Sequence, residues 1–418
     1  MHRNPKSRGS FRRAAAAVVG LSLAAAALAG CSSANGDSSK TLTVWHYYSV
    51  GTQVGMLDDF GKAFEKDNPG VKVDNVYVPH DQLNAKLVAS VGTKSGPDVV
   101  VFDGYSATTL AAAGALAPLG KEWSAFSDAS QFAAGSIAKL TNKIYSVQGY
   151  VNTLGLYYNK TILDKIGVKP PTTLDELNSA MAKAKSAGFG GMTLAGQPNL
   201  QGAFQAFPWL TSAGFSYDDP QQSALTNAFT TARKWVTDGY VSPEVSTWDQ
   251  NVPFSKFTAG GIAFAENGNW QLAAIKKDAN FEYGVVPLPL SDTGKVYLGG
   301  EAEGIGAFSK NPTLAWKYLQ STFYSKAGQL TALKSVGSIP TRKDAAADTS
   351  ISSDPYLSQL ATAISKQGAP FPDIAIPSKN IDTVYQDNGA AWSAALGGQQ
   401  SPSEAASSFL KQLQPLLK

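Results

Sequence analysis

The chain has 418 residues, 43% of them hydrophobic, 10% aromatic and 16% charged, with one cysteine and three histidines. Lys and Arg number 35 against 32 Asp and Glu, but residues 1–30 hold five of the basic residues and no acidic one, leaving 30 against 32, a net −2. The basicity therefore belongs to the leader, no basic stripe remains to draw nucleic acid, and a lone cysteine excludes an internal disulfide.

Arg3, Lys6, Arg8, Arg12 and Arg13 precede an alanine-rich apolar stretch over 14–29, which stops at Leu28-Ala29-Gly30-Cys31. Charge, apolar run and small residues in that order predict an export signal over 1–30. The run is shorter than the roughly 20 residues a spanning helix needs. Its last four residues resemble the bacterial lipobox. That resemblance implies cleavage before Cys31, lipidation of its thiol, acylation of the new amino end, and a protein held at the outer side of the cell membrane through lipid alone. Two or more acyl chains anchor firmly where one is marginal. Residues 31–40, the cysteine followed by SSANGDSSK, read as a flexible tether.

No second long apolar run follows. The remaining 378 residues exceed one core of ordinary size, which predicts two lobes. TLTVW at 41–45 reads as a strand, and 54–67 as a helix with Leu57, Phe60, Ala63 and Phe64 on one face, closed by Asn68-Pro69-Gly70. VKVDNVYV at 71–78 alternates as a strand, a helix follows over 81–90, and PDVVVF at 97–102 is a continuous apolar run of the kind buried on both faces of a parallel sheet. Strand, helix, strand, helix, strand predicts a doubly wound α/β lobe. Ligands sit beyond the carboxyl ends of such strands, here the segments starting at His46, Pro79 and Asp103.

A second region opens with a strand over 154–158. PPTTLDEL at 170–177 starts a helix, with Thr172 or Thr173 as cap and carboxylates near the positive end of its dipole. Helical patterns cover 175–187, 221–238 and 253–259, a short strand covers 262–265, and 281–289 is extended because Pro287 and Pro289 forbid a helix. From about 312 onward the pattern is helical, with loops at 337–342 and 368–377, and no internal repeat is present.

TLTVWHYYS, PGVKVDNVYVP, PDVVVFDGY with LAAAGALAPL, LGLYYNK with PPTTLDELNSAMAKA, GIAFAENGNW, YGVVPLPL, GG before EAEGIGAFSKN, and IPTR follow one another in this order. Together they resemble the extracellular solute-binding proteins of ABC importers, in the oligosaccharide-binding branch that includes maltodextrin-type receptors. The resemblance implies an α/β, two-lobed periplasmic-binding-protein-like fold, each lobe a sheet flanked by helices, with the ligand cleft between them. It implies lobe one at 41–147 plus 290–327, lobe two at 152–285 plus 332–418, and a hinge near 148–151, 286–289 and 328–331. It further implies a non-enzymatic monomer without cofactor or metal, which captures a di- or oligosaccharide by hinge closure and delivers it to the permease subunits of the importer.

A sugar presents a hydroxyl edge and a flatter C–H face, so its site needs aromatic faces together with carboxylates, amides or guanidiniums. Trp270, in the Asn-Gly-x-Trp pattern of the family, is implied to stack on a sugar ring. His46, Tyr47 and Tyr48 follow the first strand; alternation turns one tyrosine inward, and Tyr48 and His46 are the candidates. Asp103 and Tyr105 follow the third strand of the lobe, the first also a possible helix cap. Asn152 stands where maltodextrin-type relatives can carry a Glu, a departure that makes the position neutral. Trp209 resembles an aromatic of the lobe-two wall, with core packing as the alternative. Glu301, and Glu303 beside it, follow Gly299-Gly300, whose backbone permits close approach. Arg342, after Ile339-Pro340-Thr341, reaches either the cleft or a surface salt bridge.

Two other readings stand beside this one. A secreted glycoside hydrolase needs two carboxylates about 5 to 9 Å apart; no metalloprotease, serine-hydrolase or phosphate-loop motif is present, and only His46 and His80 lie outside the leader. A binder of glycerol phosphate calls for several Lys or Arg in the cleft loops, of a polyamine for clustered carboxylates, of iron for paired tyrosines. The candidate loops mix Trp, Tyr, Asn, Asp and Glu with one Arg, which suits a neutral hydroxylated ligand.

Overall fold

The computed structural model describes residues 40–418; the export signal, Cys31 and the tether through residue 39 lie outside the described residues. The strands in chain order are β1 (Lys40–His46), β2 (Val71–Tyr77), β3 (Val99–Asp103), β4 (Leu116–Ala117), β5 (Ile137–Leu140), β6 (Lys143–Gln148), β7 (Tyr150–Val151) and β8 (Leu154–Asn159). They continue with β9 (Gly190–Thr193), β10 (Ile262–Gly268), β11 (Tyr283–Val286), β12 (Val296–Leu298), β13 (Glu301–Gly306), β14 (Ile339–Pro340) and β15 (Gly368–Pro370).

The first lobe is a seven-stranded sheet in the order β2-β1-β3-β13-β6-β5, with β4 beside β13. β1 runs parallel to both β2 and β3, as the strand–helix alternation predicts. Val99, Val100, Val101 and Phe102 are fully buried, because helices cover both faces of this central strand. β13 then lies antiparallel to β3. Helix Gly51–Asp67 packs Met56, Leu57, Phe60 and Phe64 inward. Asp98, buried just before β3, accepts from Thr43 N at 3.0 Å, Ser309 Oγ at 2.6 Å and Asn311 N at 3.1 Å, and so ties β1 to the segment after β13.

The second lobe carries a four-stranded sheet, β11-β8-β10-β9. Thr173 caps helix Leu174–Ser186, its Oγ1 accepting from Glu176 N at 3.2 Å, while Glu176 reaches back to the amide of Thr172 at 2.7 Å. Helix Leu200–Ser212 escapes the periodicity. Residues 202–211 are all buried, and the interior Pro208 reads as a breaker. It packs on helix Ile381–Gly397, which in turn packs on Pro402–Leu416. The β5–β6 hairpin is equally unmarked in the hydrophobic pattern; it turns at Thr141 and Asn142, both at positive φ.

Between the sheets, β7 pairs antiparallel with β14, and β12 pairs parallel with β15. Gly299 and Gly300 join β12 to β13. Gly300 has φ +133°, and a Cβ there would collide with the carbonyl of Tyr150, so glycine is required. Among the described residues no helix is long and apolar enough to cross a membrane.

Candidate ligand-binding cleft

The carboxyl ends of β1, β2 and β3 face residues 197–204, 249–251 and Trp270 across a cleft of about 230 Å³. The loops expected at this sheet edge are the ones that line it: Tyr47 after β1, Pro79 and His80 after β2, and Asp103 at the end of β3. At the mouth, Asn251 Nδ2 on the second lobe donates to Ser49 Oγ on the first at 3.0 Å.

One wall is a continuous hydrogen-bonded chain. Asn269 Oδ1 accepts from Thr153 N at 2.8 Å, and its Nδ2 donates to Asn152 Oδ1 at 3.0 Å and to the Gly337 carbonyl at 2.9 Å. This fixes Asn152 with its own Nδ2 turned to Glu301, 3.2 and 3.0 Å from the two carboxylate oxygens. The Tyr47 hydroxyl lies 2.9 Å from Asp103 Oδ1 and 3.2 Å from Glu301 Oε1, one proton facing two acceptors. His80 Nε2 sits 2.6 Å from Asp103 Oδ2, and its ring meets the Tyr47 ring edge-on at 4.4 Å between centroids.

The cleft also has an aromatic lining. Trp270 follows β10 in a single 3₁₀ turn, and its indole lies against Gly268, where any Cβ would collide with the ring. Phe204 stands 6.3 Å from Trp270 and 5.2 Å from Phe371, and all three line the cleft. Asn199, which caps helix Leu200–Ser212, and Gln201 add amide groups beside them.

Burial sets the charges. Glu301 is only 3% exposed; burial, then the nearby Asp103 charge, push its pKa up to about 7 against the opposing pull of its bonds to Tyr47 and Asn152. Burial and the same two carboxylates hold the Tyr47 hydroxyl well above its usual range. For His80 burial works downward, but the charge and hydrogen bond of Asp103 outweigh it, and the net shift is upward.

Of the residues singled out from sequence, Trp270, Asp103, Asn152 and Glu301 line the cleft. Tyr48, His46, Tyr105, Trp209 and Arg342 do not, each for a physical reason. Leu42 and Val44 face the core, and the same alternation carries His46 and Tyr48 inward at 3% and 2% exposure, leaving Tyr47 for the cleft. His46 is a buried histidine whose pKa falls to about 4, chiefly through burial, with a smaller opposing effect of Asp58. Tyr105 packs against Phe371 and Tyr385. Trp209 is core: its Nε1 donates to Glu266 Oε2 at 2.7 Å and its ring stands edge-on to Trp235. Arg342 is a buried clamp. Its guanidinium takes Asp344 through two nitrogens at 2.9 and 2.8 Å, Asp128 at 3.0 Å and the Tyr324 carbonyl at 2.7 Å.

Sequence reasoning passed over Tyr47, His80, Asn199, Gln201 and Phe371. Strand parity could have found Tyr47, and His80 sits at a strand end already marked for ligand. Phe371 comes from a loop far along the chain and carries no such signal.

The family model for bacterial extracellular solute-binding proteins matches residues 59–359. An ABC transporter extracellular-binding protein of Pyrococcus horikoshii is 27% identical over 333 residues, covering 73% of each chain. The multiple sugar-binding protein of Streptococcus mutans is 25% identical over 353 residues, covering 75% of this chain and 78% of its own. Among solved structures, the GacH receptor of Streptomyces glaucescens, determined unliganded and with acarbose, superposes with a TM-score of 0.81 at 25% identity, covering 91% of this chain and 98% of its own. The chain belongs to the bacterial extracellular solute-binding protein family.

Proposed function

We propose that this protein is the substrate-capturing subunit of an ABC importer and that its cleft binds a sugar of one or a few rings. The observation that carries the reading is that one cleft combines a hydrogen-bonding set, Asp103, Tyr47, Glu301 and Asn152, with an aromatic set, Trp270, Phe204 and Phe371. A sugar ring has one face for each. Relatives named as sugar-binding or ABC transporter binding proteins support the assignment.

Ligand bound to one lobe bridges to the other on closing, and the closed form gains by the difference in affinity between the two states. The hinge in this reading is the β7–β14 pair together with Gly299–Gly300. The chain leaves the first sheet at β6 and enters the second at β8 through β7, and it returns to the first sheet through those glycines. In this reading two of the crossings lie away from the 286–289 and 328–331 expected from sequence. The body, a monomer, is held at the outer membrane face by lipid on Cys31, and the closed complex docks on the permease. Mass spectrometry of membrane-extracted protein is expected to find residues 1–30 removed and an acylated Cys31.

The test of binding is thermal unfolding of the full-length protein in detergent against a library of mono- and oligosaccharides. A micromolar ligand at millimolar concentration adds about 4 kcal/mol of stability. No shift with any sugar, or turnover of a glycoside by the purified protein, overturns the assignment.

A further inference from the structure

Among the described residues four acidic side chains, Asp81, Asp103, Asp249 and Glu301, line the cleft together with the base His80, and no Lys or Arg does. Two of them are forced together: Asp103 and Glu301 are directly opposite partners in the β3–β13 register. Like charges in that position destabilise a sheet, and at 3% exposure Glu301 has little water to screen it. The local partners do not neutralise it. Tyr47 has one proton for both carboxylates, Asn152 is a neutral amide, and His80 is engaged by Asp103. Two residues on, on the same strand face, Glu303 is fully buried with neither carboxyl oxygen hydrogen-bonded. The wall thus carries more acceptor oxygens than donors at the point where a ligand touches Glu301, and a cationic donor placed there would favour the ionised form of a carboxyl that burial and Asp103 push toward the neutral one.

The rest of the lining fits the complementary group. Trp270, Phe204 and Phe371 line the cleft, and aromatic rings attract a cation as well as stack on C–H bonds. The amides of Asn152, Asn199, Gln201 and Gln250 offer both donors and acceptors. Hydroxyls satisfy both, whereas a bare polyamine, which only donates, would leave the amide N–H groups unpaired. We propose that the preferred ligand is a sugar bearing a protonated amino group, its ammonium set against Glu301 and Asp103, and that uronic and phosphorylated sugars are excluded. The proposal rests on the sugar-binding reading above and narrows it.

The experiment is calorimetric titration of the full-length protein in detergent with matched series. Each contains a neutral mono- or disaccharide, its 2-amino-2-deoxy counterpart, the N-acetylated form of that amine, and its uronic or phosphorylated counterpart, with spermidine as a separate arm. The amino member of at least one series should bind about tenfold or more tighter than its neutral counterpart, a difference of about 1.4 kcal/mol. N-acetylation should remove the gain, anionic members should not bind, and Glu301→Gln should cost the amino member more than the neutral one, bringing the ratio of their affinities close to one. Neutral sugars binding as tightly as their amino counterparts, an amine preference that survives in E301Q, or spermidine binding where no sugar does, overturns the proposal. If no sugar of any charge binds, the sugar-binding reading itself fails, an outcome distinct from loss of the charge preference alone.

Discussion

Asp103 and Glu301 stand directly opposite one another in the β3–β13 pairing, with the Tyr47 hydroxyl 2.9 Å from the first and 3.2 Å from the second. Both carboxylates rise from paired strands of a buried sheet, so their separation is fixed by the register. A wall built this way is positioned before ligand arrives, and Asn152 and Asn269 brace it from the crossing between the lobes.

Strand parity separates the two adjacent tyrosines. Tyr47→Phe removes the proton shared by Asp103 and Glu301 and should weaken sugar binding by about 1 to 2 kcal/mol. Tyr48→Phe, a core position at 2% exposure, should change affinity by less than about 0.5 kcal/mol. Calorimetric titration of both variants checks the order; equal effects would place both rings at the ligand.

Trp270 is expected to be the main stacking surface, so Trp270→Ala should cost about 2 kcal/mol or more in affinity, roughly thirtyfold. Gly268→Ala should reproduce much of that loss without removing the indole, because the added methyl displaces the ring that lies on it. Circular dichroism confirms the fold in each case, and unchanged affinity in both would move the stacking surface elsewhere.

Arg342→Ala should act on stability. It strips a buried guanidinium from Asp344, Asp128 and the Tyr324 carbonyl. The two acids are partly exposed, which lowers the loss from the 3 to 5 kcal/mol of a fully buried pair to about 2 kcal/mol. Urea unfolding should register the loss while sugar affinity, measured where the variant is folded, stays unchanged.

Glu266 gives a pH signature. Burial pushes its pKa up to about 8, against the pull of its bond to Trp209. A carboxyl raised on folding binds its proton in the native state after the unfolded chain has lost it, so its contribution is intact below about pH 4.5 and falls as pH rises toward 8. Comparison with Glu266→Gln isolates this group from His46, whose lowered pKa acts in the opposite direction at acid pH. The stability difference between wild type and variant should move against the wild type between pH 5 and 8, at a slope approaching ~1.4 kcal/mol per unit. Parallel pH profiles would show that Glu266 ionises freely.

The β1 to β3 unit was legible because each strand and helix there has its own hydrophobic period, and the site edge followed from topology. Trp270 was legible through its Asn-Gly-x-Trp resemblance to the family, and Glu301 through Gly299–Gly300 before it. Helix Leu200–Ser212 was not, since its interior Pro208 reads as a helix breaker. Trp209 looks available in sequence because its partner Glu266 lies 57 residues away, and Arg342 because Asp128, which with the nearby Asp344 completes its clamp, lies 214 residues away. Choosing Tyr48 over Tyr47 was a failure to carry the parity of Leu42 and Val44 past the end of the strand.

The most direct test is calorimetric titration of the full-length protein with whichever sugar most raises its Tm, run on wild type and on Trp270→Ala. One-to-one binding by wild type, weakened at least about thirtyfold in the variant, is the predicted result. Binding that is indifferent to Trp270 would contradict the cleft as the sugar site.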